Sequence, residues 1–376
     1  MIYKRLCDCA DYRNERTAQI DYETYITTDN MIPNRGGIST VESLPDTKAV
    51  CKYLEGDILL SNIRPYFKKI WLANRKGGCS NDVLVVTAKE PFSPEFLYYV
   101  LSDTNFFNYD TATSKGTKMP RGTPKAIMKY LVPDYGIEKQ SSIVSVLSAY
   151  DNLIEVNNKR IKALEQMAEN LYKEWFVRFR FPGYESVLFE NDLPYGWRIQ
   201  RLEEVSDFVY GKMPEKQFVS DTGYPIFSGY QISGYYKEYS FAETMLVLIA
   251  RGVGGTGEVR MAPAFSYITN LSIIFRLKNP ELYKMYLYYL FSLKNLRYLD
   301  TGAAQSQITI DNLKRVRVVI PANNVLLAFN KQISKIMELI EKIKEQNALL
   351  NKQRDLLLPR LMSGRMEVNL EEQVNE

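Results

Sequence analysis

Two long stretches of the chain place their seam residues at alternating steps of four and three positions. This spacing keeps one side of a helix facing a partner helix. The first seam consists of Ile143, Leu147, Tyr150, Ile154, Asn157, Ile161, Leu164, Ala168, Leu171 and Trp175. The second consists of Ile333, Ile336, Ile340, Ile343, Asn347, Leu350, Arg354, Leu357 and Leu361. Two long seams in one chain predict two helices that pack together.

Set antiparallel, the two seams fall into one register. Ile143 then faces Leu361 and Asn157 faces Asn347, and the other positions pair in the same way up to Leu171 with Ile333. Trp175, the last position of the first seam, faces Phe329. A slip by one heptad would put each Asn against an apolar layer, where an unpaired amide costs about 1 to 3 kcal/mol. The register therefore predicts a central pair of asparagines. The alternative is one Asn exposed at the edge of the seam.

The rest of the chain shows an internal repeat whose period is about half the chain. Arg5–Asp11 matches Arg201–Asp207, with Cys9 opposite Val205. Each half continues with two strand-like runs, an aromatic helix candidate, a polar loop and a last strand that closes at a proline. In the first half these are Gly56–Arg64, Cys79–Val86, Glu95–Ser102, Thr111–Gly122 and Pro133; in the second half they are Thr244–Arg251, Tyr267–Ile274, Met285–Ser292, Thr301–Thr309 and Pro321.

The repeat and the seams together predict a mixed α/β (α+β) fold. Two globular domains related by the repeat are separated by two long antiparallel coiled-coil helices. Proline and glycine between the halves predict a linker that stops the first helix. The predicted boundaries are 1–136 for the first domain, 137–179 for the first helix, 180–196 for the linker, 197–323 for the second domain, 324–364 for the second helix and 365–376 for a flexible tail.

Composition narrows the possible functions. The chain is 45% hydrophobic and 24% charged, which is typical of a soluble globular protein. Its apolar runs are shorter than a membrane span and its N-terminus lacks a signal segment, so we expect a cytoplasmic protein. The formal charge of +4 implies that any nucleic-acid binding rests on local patches and on added subunits. Because the sequence contains no His, hydrolysis of the catalytic-triad kind is excluded.

Two further patterns resemble ligand sites but lack the necessary context. Of the four cysteines only Cys7 and Cys9 are close, which is not the paired spacing of a zinc site, so buried free thiols are expected. Gly252–Gly257 fits the Gly-x-Gly-x-x-Gly pattern of dinucleotide sites. A proline follows at Pro263 and no carboxylate occurs on the next strand, so we predict a tight loop at a strand end. A nuclease centre of scattered carboxylates and a lysine has no support from spacing.

The candidate DNA contacts lie in polar loops near strand ends. Arg and Lys suit phosphates and guanine edges, Gln suits adenine edges, and Gly allows close approach of the backbone to the duplex. The candidates are Arg64, Lys68, Lys69, Arg75, Lys76, Lys115, Lys118 and Arg121 in the first half and Lys212, Arg251, Arg260, Gln305, Ser306 and Gln307 in the second. A solvated loop is the alternative for any one of these residues. Their recurrence at matching points of the repeat favours DNA binding for the groups.

Three local segments carry a resemblance to a known family. Asn170–Phe179 (NLYKEWFVRF), Leu193–Trp197 (LPYGW) and Leu358–Gly364 (LPRLMSG) resemble conserved segments of type I restriction-modification specificity subunits. The resemblance spans essentially the whole chain. It implies that each domain is a target recognition domain reading one half of a split DNA site, that the helices form an antiparallel spacer, and that the chain itself performs no chemistry.

The resemblance also implies partners. Two methyltransferase subunits for adenine methylation would dock on this chain, joined by restriction subunits with translocase and nuclease activity. S-adenosylmethionine, ATP and magnesium would serve those partners, so no cofactor is expected on this chain. A seam of about 33 residues is about 50 Å long, enough to hold two readers one duplex turn of about 34 Å apart. The alternatives are a stand-alone nuclease or methyltransferase, and a coiled-coil protein scaffold without a DNA role.

Overall fold

Both predicted long helices are present in the computed structural model, which describes residues 2–229, 231–252, 255–301 and 307–368. The chain divides into two units. Unit 1 comprises Met1–Asn158 with Lys344–Glu376, and unit 2 comprises Lys159–Ile343. Each long helix therefore contributes one part to each unit. Within the described ranges, no helix combines the length and apolar character needed to cross a membrane.

Unit 1 contains two four-stranded sheets and one strand pair. Its strands are β1 Tyr3–Arg5, β2 Ala10–Tyr12, β3 Arg16–Thr17, β4 Tyr25–Ile26, β5 Val50–Tyr53, β6 Ile58–Ser61, β7 Ile70–Leu72, β8 Gly77–Cys79, β9 Val83–Ala88 and β10 Leu131–Pro133. Its helices are α1 Leu6–Cys9, α2 Pro94–Ser102, α3 Thr104–Thr113, α4 Pro124–Ile127, the first part of α5 Ile137–Tyr172 and the last part of the second long helix, Asn323–Met362. The strand orders are β2-β9-β6-β7, β3-β5-β8-β4 and β1-β10, and β4 runs parallel to β8.

Unit 2 has a related arrangement, in which the described residues form one four-stranded sheet, one three-stranded sheet and two strand pairs. Its strands are β11 Phe189–Glu190, β12 Leu193–Pro194, β13 Arg198–Arg201, β14 Ser206–Tyr210, β15 Tyr224–Phe227, β16 Ile232–Tyr236, β17 Met245–Ile249, β18 Val259–Ala262, β19 Tyr267–Ile268, β20 Ser272–Leu277 and β21 Arg317–Ile320. Its helices are α6 Leu202–Val205, α7 Pro280–Leu293, α8 Ile310–Lys314, the last part of α5 and the first part of α9 Asn323–Met362. The strand orders are β14-β20-β17-β18, β16-β15-β19, β13-β21 and β11-β12, and β15 runs parallel to β19.

Equivalent backbone hydrogen bonds confirm the predicted repeat. Leu6 N donates to Tyr130 O at 2.8 Å, and Leu202 N donates to Val316 O at 2.9 Å. Cys9 and Val205 occupy equivalent positions of the repeat, and both are buried. The two halves thus build the same strand, one-turn helix and strand at their starts, with the same buried position.

One expectation for the thiols needs correction. Cys9 and Cys79 are buried as expected, but Cys51 is half-buried, and Cys7 is exposed because it lies on the outer face of the one-turn helix α1.

Part of the predicted linker forms the hairpin β11-β12. Asn191 and Asp192 both have positive φ, the backbone geometry that a tight two-residue hairpin turn requires.

The long helices end close to the predicted boundaries. A π-helical turn, Lys173–Val177, follows α5, and the positive φ of Phe179 then turns the chain out of helical conformation. The seam residues lie between the helices within each unit. Ile143, Leu147, Leu357 and Leu361 pack in one hydrophobic core of unit 1, and Ile161, Leu164, Ile340 and Ile343 form a separate cluster in unit 2. In unit 2, Leu171 and Ile333 also share the main core. Tyr150, Ile154 and Leu350 are half-buried.

The predicted asparagine pair is present in unit 1. Asn157 Nδ2 donates to Asn347 Oδ1 at 2.8 Å, and Asn347 Nδ2 donates to Asn158 Oδ1 at 3.0 Å. Asn157 is 4% exposed and Asn347 is 8% exposed, so the alternative of an Asn at an exposed seam edge is wrong. Because each buried amide has a partner in this register only, the pair opposes slippage of one helix along the other.

We expect the double variant Asn157→Cys, Asn347→Cys to form a disulfide under mild oxidation, because directly facing seam positions bring the two sulfurs within bonding reach. Non-reducing electrophoresis and intact mass would measure it. The matched control Asn157→Cys, Asn351→Cys moves one thiol by a helical turn and should remain reduced. Equal cross-linking in both variants, or none in the first, would contradict the observed register.

Candidate nucleic-acid interface

In unit 1 the segment after β6 is joined to the loop before α4. Arg64 N donates to Pro120 O at 2.7 Å, and Gly122 N donates to Asn62 O at 3.0 Å. Lys115 and Arg121 exchange two backbone hydrogen bonds of 2.9 Å each, which closes a small hairpin. The exposed side chains of Lys115, Lys118 and Arg121 therefore project from this hairpin beside the end of β6.

A second loop, Arg64–Lys69, lies against the first. Arg64 and Lys68 adopt left-handed backbone conformations on either side of the short helical turn Pro65–Phe67. This turn exposes the rings of Tyr66 and Phe67, whose centroids are 4.7 Å apart. Exposed aromatic rings beside cations can stack on bases. This pair was not among the predicted contacts, although two adjacent aromatic residues flanked by Arg64 and Lys68 are recognisable in the sequence.

Several of the predicted cations also hold the domain together. Lys69 Nζ donates to Thr28 O at 2.5 Å, and burial lowers the pKa of its ammonium. Lys68 Nζ donates to Thr104 Oγ1 at 3.1 Å. Arg121 forms an ion pair with Asp82 at 2.8 Å, but more than half of its side chain remains exposed. Lys69 is therefore the least available of these residues for a phosphate, and the hairpin lysines are the most available.

The structure does not bring Arg75 and Lys76 to this edge. Strands β6 and β7 are antiparallel, with Leu60 opposite Ile70 and Ile58 opposite Leu72. Residues 75 and 76 follow the end of β7 and therefore lie beyond the opposite end of β6. Arg75 stacks over the Trp71 ring at 5.3 Å and donates to Glu23 O at 2.7 Å. The predicted first-half set thus divides into two separate groups.

In unit 2 three of the predicted residues lie at the equivalent strand edge. Strands β14 and β17 both end beside the start of β20, since Tyr210 pairs with Ile273 and Ile249 with Ser272. Lys212 and Arg251 come directly after these strand ends. Arg251 also pairs with Gln307 through the backbone, and its guanidinium lies 5.8 Å from the centroid of the Tyr210 ring.

The remaining second-half candidates lie elsewhere. Arg260 is on the edge strand β18, opposite Val247, and forms an ion pair with Glu258 at 2.5 Å. Gln305 and Ser306 lie outside the described residues. The exposed ring of Tyr210 beside Arg251 was not predicted from the sequence, because a single Tyr among 27 carries no distinguishing pattern.

The glycine-rich segment follows the end of strand β17, as predicted, although its residues 253 and 254 lie outside the described ranges. It leads into β18, which runs antiparallel to β17 with Leu248 opposite Val259. Thr256 Oγ1 donates to Gly252 O at 2.9 Å and closes the turn. A dinucleotide fingerprint requires a helix at this place, so the observed strand excludes that interpretation.

Backbone hydrogen bonds determine how the ends of the two equivalent strands correspond. Both strands end near an arginine, Arg64 or Arg251, as the sequence predicts. Asn62 N donates to Asp82 O, and Ala250 N donates to Leu271 O at the equivalent point. Ile63 is therefore the structural counterpart of Arg251, because the cross-strand bonds determine the register and the terminal residue type does not.

Unit 1 also exposes apolar side chains on its part of the helix pair. Leu153 and Val156 lie on α5, and Leu349 and Leu356 lie on α9. All four are more than two-fifths exposed, although they sit on helices whose seam positions are already filled. Exposed apolar residues grouped on a helix pair are typical of a surface that another protein covers.

The sequence matches a known protein family and several of its members. The family model described as type I restriction modification DNA specificity domain matches residues 8–166 and 194–354. The chain is 25% identical over 308 residues to the specificity subunit of the type I restriction enzyme MjaIX of Methanocaldococcus jannaschii, covering 75% of this chain and 71% of that protein. It is 23% identical over 448 aligned positions to the HindI specificity subunit of Haemophilus influenzae, covering 90% and 93%.

The fold also has a solved counterpart. The crystal structure of the type I restriction-modification S subunit from M. genitalium matches with a TM-score of 0.55 and 15% identity, covering 96% of each chain. The two matched segments of the family model correspond to the two halves of the repeat. The chain therefore belongs to the type I restriction-modification DNA specificity family.

Proposed function

We propose that this specificity subunit reads a bipartite DNA site, with each repeated unit contacting one half-site. The observation that carries the proposal is the equivalence of two strand edges. Ile63 pairs with Arg121 through the backbone in unit 1, and Arg251 pairs with Gln307 in unit 2. Each half of the repeat thus presents hydrogen-bonding side chains of DNA-contacting type at the same place in the fold.

The two strand edges carry different side chains, which is expected if they contact half-sites of different sequence. The unit 1 hairpin offers mobile ammonium groups on Lys115 and Lys118, which suit phosphates, and Arg121, which suits a phosphate or a guanine edge. The unit 2 edge offers Arg251 for guanine and Gln307 for adenine. The stacking of Arg251 near Tyr210 restricts its guanidinium, which favours a defined base contact over a diffuse phosphate contact.

The same proposal includes the partners that perform chemistry. Two methyltransferase subunits dock on this chain, and restriction subunits with translocase and nuclease activity join them. S-adenosylmethionine, ATP and magnesium serve those partners. The exposed side chains of Leu153, Val156, Leu349 and Leu356 support the helix pair as a protein-docking surface. The absence of His in the sequence agrees with a chain that does no acid–base catalysis of its own.

Replacing Arg251 by alanine is expected to relax or abolish recognition of one half-site only. A lost bidentate base contact costs about 1 to 3 kcal/mol, or about 5- to 150-fold in discrimination. Long-read mapping of methylated adenines in DNA from a host carrying the variant with its methyltransferase subunit would measure this. Gln307→Ala should affect the same half-site. The control Arg276→Ala removes an exposed arginine near the other end of the sheet and should leave the methylated motif unchanged.

Two results would overturn the proposed function. Purified chain that methylates or cleaves DNA without partners would identify an enzyme. The chain and its methyltransferase subunit could also be used to select DNA from random duplex libraries. If no bipartite sequence is enriched, the chain is a protein scaffold without a DNA role.

A further inference from the structure

Asp110 is a fully buried carboxylate near the base of the unit 1 hairpin. Its residue is 0% exposed, and it lies in the last turn of α3, just before the hairpin begins. Among the described residues, neither carboxylate oxygen has a hydrogen-bond partner. A buried charge without a partner is strongly unfavourable, so natural proteins rarely leave one uncompensated.

A second acceptor oxygen points to the same place. Asn62 Oδ1 is buried and also has no hydrogen-bond partner among the described residues. A Cβ placed on Gly122 would lie 2.5 Å from Asp110 Oδ1, 2.9 Å from Asn62 Oδ1 and 3.1 Å from Asp110 Oδ2. Three acceptor oxygens therefore converge beside Gly122, where the lack of a side chain leaves them room.

Unit 2 has apolar residues at two of the equivalent positions. Gly122 N donates to Asn62 O in unit 1, and Ile308 N donates to Ala250 O in unit 2. The counterparts of Gly122 and Asn62 are thus Ile308 and Ala250, both fully buried and apolar. Unit 2 keeps a carboxylate beside this point, but it has a partner: Asp300 Oδ1 accepts a hydrogen bond from the backbone N of Gln307, the residue before Ile308, at 2.8 Å. The Asp110 carboxylate of unit 1 has no such partner among the described residues.

We propose that Asp110 and Asn62 bind a hard cation that fastens the unit 1 hairpin to the end of β6. The proposal goes beyond DNA reading and does not depend on it. Hard cations such as Na⁺, K⁺, Mg²⁺ and Ca²⁺ take oxygen ligands, and carboxylate and amide oxygens are typical of their sites. No group of three or more Cys, Asp or Glu side chains in the described ranges is arranged for a metal. The ligands of the proposed ion are the Asp110 carboxylate, the Asn62 amide oxygen and water.

The competing explanation is that Asp110 is protonated. Burial raises the pKa of its carboxyl to about 6. The folded state then binds the proton more tightly than the unfolded state, so without a cation stability increases as the pH falls from about 7.5 towards 5. The neighbouring titratable group is Tyr12, whose hydroxyl donates to Pro124 O at 3.0 Å and whose pKa is raised by burial and by Asp110. Tyr12 stays neutral throughout this range.

Thermal unfolding of the full chain at pH 7.5, after removal of metals, tests the proposal. Choline chloride replaces the salt at constant ionic strength, and NaCl, KCl, MgCl₂ or CaCl₂ is then added in separate samples. Binding to the folded state raises the melting temperature by mass action, and a rise of about 5 °C is expected at saturation. The salt that produces it identifies the ion class.

Two variants localise the effect. Asp110→Asn keeps the shape of the side chain and should remove both the cation response and the pH dependence. Asn62→Ala copies the unit 2 residue at that position and should weaken the response while the chain still folds. If no salt raises the melting temperature of the wild type more than it raises that of Asp110→Asn, the carboxyl is simply protonated and the proposal is wrong. An equal cation response in wild type and both variants would also overturn it.

Discussion

An Asp151→Ala variant is expected to lose about 3 kcal/mol or more of unfolding free energy, because it removes the main partner of a buried guanidinium. Arg354 is 7% exposed, and its Nη1 lies 2.5 Å from Asp151 Oδ1. Burial alone would lower the pKa of Arg354, but the carboxylates of Asp151 and Asp355 raise it. Tyr99 also donates its hydroxyl to Asp151 Oδ2 at 2.8 Å and would lose its acceptor.

Urea unfolding of the full chain would measure this loss. Glu155→Ala is the matched control, because Glu155 is exposed one turn further along α5, and exposed ion pairs contribute about 0 to 1 kcal/mol. The double variant Asp151→Ala, Arg354→Met should recover most of the stability, since replacing both partners of a buried pair is often neutral. If Asp151→Ala is as stable as Glu155→Ala, the ion pair does not stabilise unit 1.

The second large effect is on the spacing of the two DNA half-sites, which we expect to depend on the length of the long helices. Deleting Ile161–Met167 together with Met337–Ile343 is expected to shorten the gap between the two recognised half-sites. Each deletion removes one heptad, so the seam stays in phase and the asparagine pair is kept. Seven residues of helix are about 10 Å long, which corresponds to about three base pairs of duplex. The bases read in each half-site should not change.

Mapping of methylated adenines would show the new gap directly. The paired substitution Ile161→Leu, Ile340→Leu is the control: it alters the same hydrophobic cluster without changing helix length and should preserve the gap. A deletion variant that methylates the original gap with new bases would refute a spacer role for the helices.

Much of the fold was predictable from the sequence because it rests on periodicity. The heptad spacing located α5 and α9, and the antiparallel register followed from pairing Asn157 with Asn347, an interaction that the structure contains. The half-chain repeat predicted two domains of the same topology. Arg354 was assigned to the seam on spacing alone, but its partner Asp151 was not predicted, because an ion pair between helices depends on side-chain direction as well as on position.

The candidate site was less predictable. Residue type and loop position selected Arg64, Lys115, Arg121, Lys212 and Arg251, and the structure places each of them at one of two equivalent edges. The same criteria also selected Arg75 and Lys76, because one-dimensional reasoning does not distinguish the two ends of a strand. Their role as DNA contacts remains a prediction.

By itself, the sequence determined the family, the two-fold repeat and the register of the helix pair, since apolar spacing and a single buried Asn in each seam leave few alternatives. Only the tertiary structure decided which loops meet. Hydrogen bonds between segments far apart in sequence join Asn62 to Gly122 and Ala250 to Ile308. In unit 1 the first of these contacts brings Asn62 and Gly122 beside Asp110, whereas unit 2 has Ala250 and Ile308 in place of Asn62 and Gly122. No local pattern encodes that convergence, because it depends on contacts between residues dozens of positions apart.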